Sequence, residues 1–94
     1  MKYDHIAVLE GNKFDSSVDV SSYTSTKYTT LSDGYFHFVN GSGQTGMGFV
    51  FPSDSDSVNI NIGGVAGRFE LFVKKGMRIA VSGTFTASTF YPLK

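Results

Sequence analysis

The chain contains no cysteine and no tryptophan, only two prolines, and no surplus charge of either sign. Without cysteine there are no disulfide staples and no thiolate zinc site, so stability must come from packing or from association. Eight basic residues balance eight acidic ones, and Lys74-Lys75 is the longest basic run. A nucleic-acid footprint needs a basic stripe or face, so nucleic acid is not an expected partner. No apolar run approaches the roughly 18 residues of a membrane helix, so membrane insertion is not expected. Met1-Lys2-Tyr3-Asp4-His5 carries no signal-peptide apolar region, which points to synthesis in a cytoplasm. What the chain has in quantity is aromatic volume, nine Phe and five Tyr in 94 residues, enough for the core of one domain over residues 1–94.

No segment sustains a 3.6-residue apolar period. The stretch that stands out is Leu31-Ser32-Asp33-Gly34-Tyr35-Phe36-His37-Phe38-Val39-Asn40. Its Ser-Asp-Gly is a turn signal, because Asp bonds its own backbone and Gly tolerates positive φ. The bulky residues that follow suit a pleated surface. Phe36 and Phe38 share one face; Tyr35, His37 and Val39 share the other. Neither face is watery, so this strand is expected to be covered on both sides, with the remaining strands arranged around it. Period-2 alternation predicts further strands over residues 3–10, 13–20, 27–31, 47–51, 57–62, 69–74, 77–82 and 89–93, separated by Gly, Pro, Ser and Asp turns. The segment 83–88 is expected to be a loop or to carry a bulge, because Phe85 and Phe90 have opposite parity. The fold class is all-β, a single-domain antiparallel sandwich or barrel.

Four patterns bear on chemistry. Gly41-Ser42-Gly43-Gln44-Thr45-Gly46 is a literal G-x-G-x-x-G, but a dinucleotide site needs its third glycine to open a helix. Here Gly46 leads into the strand-like Met47-Gly48-Phe49-Val50-Phe51-Pro52, so a flexible hairpin loop without a cofactor is expected. Asp54 and Asp56 begin like a calcium loop, yet Asn59 and Val65 stand where its glycine and glutamate belong, so no metal is expected there. His5 and His37 show no sequence sign of convergence, and no nucleophile elbow or facing carboxylate pair is present; the chain reads as non-enzymatic. Tyr3, Tyr23 and Tyr28, set among Ser, Thr and Asn, are candidate stacking platforms for a sugar, or ordinary half-buried tyrosines.

Three stretches together resemble a known group of modules. Tyr28-Thr29-Thr30-Leu31-Ser32-Asp33-Gly34-Tyr35 is similar to the strand–turn–strand that opens many small C-terminal modules of bacteriophage tail-fibre and other virion proteins. Val73-Lys74-Lys75-Gly76-Met77-Arg78-Ile79 resembles their next marker, an apolar residue, a Lys-Gly turn and an apolar strand. Phe90-Tyr91-Pro92-Leu93-Lys94 resembles their aromatic-rich tail. Leu31 stands where a proline is common, and Met77 where an acidic residue is common. The resemblance implies a jelly-roll-like sandwich of the tumour-necrosis-factor and complement type, a homotrimer, and a place on a virion. The implied function is a tail-fibre or baseplate receptor-binding tip, or a capsid decoration or head-fibre domain. The implied partners are copies of itself, other virion proteins and a host-surface glycan. A free-standing carbohydrate-binding β-sandwich is the alternative.

Counting faces adds an expectation about assembly. With Phe36, Phe38, Ile60, Ile62, Phe69, Leu71, Val73, Ile79 and Val81 in the core, their strand neighbours must face outward. Those include Tyr35, His37, Val39, Phe72, Ala80 and Tyr91. A contiguous apolar patch usually marks an interface, so Tyr35, His37, Val39, Phe72 and Tyr91 are the expected oligomer contacts.

Overall fold

A computed structural model of the chain describes residues 15–94. The strand expected over residues 3–10, the start of the next, and Tyr3 and His5 lie outside the described residues. Eight strands follow in order: β1 (Val18–Asp19), β2 (Tyr28–Thr29), β3 (Gly34–Asn40), β4 (Met47–Phe51), β5 (Ile60–Gly63), β6 (Gly67–Val73), β7 (Arg78–Ser82) and β8 (Ala87–Pro92). They form two four-stranded sheets, β1-β8-β3-β6 and β2-β7-β4-β5, and every pairing is antiparallel. Four of the pairings read as one long hairpin folded over on itself: β4 with β5, β3 with β6, β2 with β7, β1 with β8. Successive pairs alternate between the sheets, and the two sheets pack into a sandwich.

The central strand is β3, bonded to β6 on one side and β8 on the other. Its burial alternates along all seven residues: Gly34, Phe36, Phe38 and Asn40 are buried, and Tyr35, His37 and Val39 half-buried. Phe36, Phe38 and Phe90 from this sheet meet Val50, Ile79 and Val81 from the other, with Val20 and Val73 completing the buried cluster. The sheets pack tightly at Gly48, where a Cβ would lie 2.9 Å from two ring atoms of Phe36. Any side chain there would compete with Phe36 for the same volume.

Several expectations change. Ile60 pairs with Val50 in the inward phase but is 44% exposed, because β5 is an edge strand. Leu71, Phe69 and Ile62 are half-buried and packed against the core rather than enclosed in it. Ala80 is opposite Phe49 on the outward phase, yet only 4% exposed; it is small and β7 runs between β2 and β4. The Gly41–Gly46 loop is no hairpin, because β3 and β4 belong to different sheets. It is tied along its length: Gln44 N–H donates to Gly41 O at 3.1 Å and Gly46 N–H to Thr84 O at 2.8 Å, and the Thr86 hydroxyl donates to Gln44 Oε1 at 2.7 Å. The strand expected over 57–62 begins at Ile60, and Val58 lies before it, 51% exposed. Residues 83–86 form a loop, from which Phe85 packs its ring 5.3 Å from that of Phe38.

Candidate functional site

Register places side chains in rows across the outer face of the first sheet. Tyr35 lies opposite Phe72 on β6 and opposite Tyr91 on β8, giving the row Phe72–Tyr35–Tyr91. The next row outward is Glu70–His37–Thr89, and the third Arg68–Val39–Ala87. All five expected contact residues, Tyr35, His37, Val39, Phe72 and Tyr91, therefore share one face of one sheet. Period-2 counting assigned the face; the register that makes them neighbours is a property of the pairing. The Tyr35 and Phe72 rings meet edge to face, centroids 5.3 Å apart, and His37 is tilted against Tyr91 at 6.3 Å. Phe72 remains 45% exposed.

Past this row, at the end of the sandwich, Phe72 and Leu31 border a cleft whose other walls include the charged side chains of Asp33, Lys75 and Lys94. Leu31 is 77% exposed, and Ser32 and Leu93 also line the cleft. Leu31, expected at the end of a strand over 27–31, lies beyond β2, which ends at Thr29. It opens the turn in which the Asp33 carboxylate accepts from Lys75 N–H at 2.8 Å.

The tyrosines considered for a ligand are placed differently. Tyr23 and Tyr28 pack against the core and against each other edge to face at 5.3 Å, with Tyr28 tilted on Phe90 at 6.0 Å. Burial, and secondarily the charge an ionised Tyr23 would carry, raises the Tyr28 phenol above its ordinary pKa. Tyr3 lies outside the described residues.

On the opposite face, the outer side of the second sheet, Phe49 and Phe51 stack with centroids 6.4 Å apart and planes 23° from parallel. The Lys27 ammonium lies 5.0 Å above the Phe51 ring and the Arg78 guanidinium 5.8 Å from it, which covers Phe51 to 7% exposure. Both cations also hold Asp56: Lys27 Nζ lies 3.2 Å from Oδ2, and Arg78 Nη2 2.9 Å from Oδ1. Arg78 Nη2 further donates to the Ser53 and Asp54 carbonyls at 3.0 and 2.9 Å. Neither Phe49 nor Phe51 stood out in the sequence, since an alternating strand does not say which of its faces meets the core. Among the described residues, no group of three or more His, Asp or Glu side chains could hold a metal ion, and no helix is long and apolar enough to cross a membrane.

Comparison with protein-family models, with curated proteins and with solved structures finds no match to this chain.

Proposed function

We propose that the chain is a non-enzymatic structural module of a bacteriophage virion, a tail-fibre or baseplate tip or a capsid decoration or head-fibre domain. It assembles with copies of itself through the outer face of β1-β8-β3-β6, as a homotrimer with a jelly-roll-like fold, alongside other virion proteins. The folded-over hairpin supports the jelly-roll reading, because pairing the first strand with the last, the second with the seventh and so inward is how a double-sheet jelly roll is wound. That architecture serves viral capsid and lectin domains, so it favours a class of module without selecting a function.

The observation that carries the assembly is the in-register aromatic row led by Phe72, which borders one cleft with Leu31 at the end of the sandwich. Interface centres are enriched in aromatics and depleted of Lys and Glu, and this row contains neither. Glu70 and Arg68 lie one and two rows away, at the strand β6 edge, as a polar rim would. Light scattering at micromolar concentration is expected to give a mass near three times the 10.2 kDa of one chain, and Phe72→Glu to reduce it to that of one. A wild-type monomer at high concentration and neutral pH would end the trimer reading and most of the virion case with it.

A further inference from the structure

We infer that the cleft on the outer face of the second sheet is a saccharide-binding subsite, with Phe49 as its stacking platform and Asp56 as its fixed hydroxyl acceptor. The inference goes beyond the assembly reading and stands on separate residues, on the other face of the sandwich.

The cleft has a volume of ≈ 280 Å³ and is lined by Phe49 together with Thr24, Lys27, Asp56, Asn59 and Ser82, among others. That volume is just below the usual range for small-molecule sites, about 300–1,000 Å³, so it suits one or two sugar rings. Its construction separates a closed half from an open half. Phe51 is spent on holding Lys27 and Arg78 in place, whereas Phe49, its stacked neighbour, is half-buried and faces the cleft. An aromatic ring set beside polar groups matches a pyranose, which has an apolar C–H face and a rim of hydroxyls.

The polar groups select among ligands. Lys27 and Arg78 are both paired with the single carboxylate of Asp56, and Arg78 also with two carbonyls. A phosphate would have to displace Asp56 from both. The carboxylate itself remains open on its outer side, at 57% side-chain exposure. Held by two cations, it is a pre-oriented acceptor that loses little freedom on meeting a hydroxyl. Asn59, Thr24 and Ser82 are exposed and supply amide and hydroxyl partners of both polarities. Arg78 also fixes the wall of the cleft, since its bonds to the Ser53 and Asp54 carbonyls pin the β4–β5 loop that carries Asp56 and Asn59.

The test is titration of the ¹⁵N-labelled full chain with methyl α-D-glucopyranoside, methyl β-D-galactopyranoside and N-acetyl-D-glucosamine, with inorganic phosphate in parallel. At least one sugar is expected to shift the Asn59, Ala80 and Ser82 amides saturably, with a Kd on the order of 1 mM. Phe49→Ala is expected to weaken that binding about tenfold, the loss of one aromatic contact. Asn59→Ala, at an exposed loop position where substitutions cost little stability, is expected to weaken it several-fold. No saturable shift with any of the three sugars up to about 100 mM overturns the inference. So does saturation by phosphate alone, or sugar binding that neither variant affects. The mass of the same samples reports assembly separately, so the two readings fail independently.

Discussion

Phe38 and Ile60 look alike in the sequence, each apolar in an alternating strand, and differ completely in their surroundings. Phe38 is fully buried, with Phe36 and Phe85 against its ring; Ile60 is 44% exposed. Truncating a buried phenylalanine removes its transfer energy and leaves a cavity, at a cost of about 3–5 kcal/mol. A chain of this length has about 5–14 kcal/mol of total stability. Phe38→Ala should therefore lower the denaturant midpoint steeply or abolish folding, while Ile60→Ala should cost under about 1 kcal/mol. Equal effects would contradict the packing described. Tyr28 makes a prediction in pH. Its pKa is raised in the folded state, so its contribution is fully present below the unfolded tyrosine value of about 10 and is lost as pH rises through the higher folded value. Tyr28→Phe should make the alkaline fall of the melting temperature shallower and leave the neutral and acid limbs unchanged.

The element that holds the strand ends in place is the joined pair of turns at residues 30–34 and 74–77. Asp33 and Lys75 stand far apart in the chain, but Gly34 pairs with Val73 across β3 and β6, so their turns lie side by side. Thr30, 1% exposed, is the clasp: its hydroxyl donates to Lys74 O at 2.8 Å, its N–H to Met77 O at 2.9 Å, and its carbonyl accepts from Gly76 N–H at 3.0 Å. Thr30→Val keeps the shape and both backbone bonds but leaves Lys74 O without its hydroxyl donor. The expected loss is about 1–2 kcal/mol, read as a shift of the denaturant midpoint at unchanged slope. Gly76, at φ +89°, sits where a β-carbon is strained whatever the space, so Gly76→Ala should destabilise although no atom lies within 4 Å of the added carbon.

At the scale of the whole molecule, the sandwich presents two outer faces of different character. The first is aromatic and apolar around Phe72, Tyr35 and Tyr91; the second is an aromatic platform bordered by fixed charges around Phe49 and Asp56. The proposed assembly and the proposed saccharide subsite therefore use opposite outer faces, and neither covers the other. On the proposed assembly, Phe72→Glu should lower the light-scattering mass to that of a single chain while leaving the sugar titration unchanged. Simultaneous loss of both would mean that the cleft needs the assembled state or that the variant no longer folds, and the melting curve of the variant separates these.

Period-2 alternation, turn residues and the lack of any 3.6-residue apolar period were enough to establish an all-β chain, most of the described strands to within a few residues, and the inward phase of β3. They placed Phe36 and Phe38 inside and Phe72 outside, because parity along a single strand depends only on local geometry. Parity cannot say how far a strand lies from the sheet's edge, which is why Ile60 was expected inside and Ala80 outside. Nor does it state which strands pair. The row Phe72–Tyr35–Tyr91 exists through long-range register between β6, β3 and β8, and the clasp of Thr30 through the meeting of two distant turns. The cleft at Phe49 depends on more still: Lys27, Asp56 and Arg78 come from three separate segments and meet only when the β4–β5 loop folds back over the sheet. Single ion pairs of this kind leave no periodic trace in a sequence, since they depend on where side chains end in space and not on their spacing along the chain.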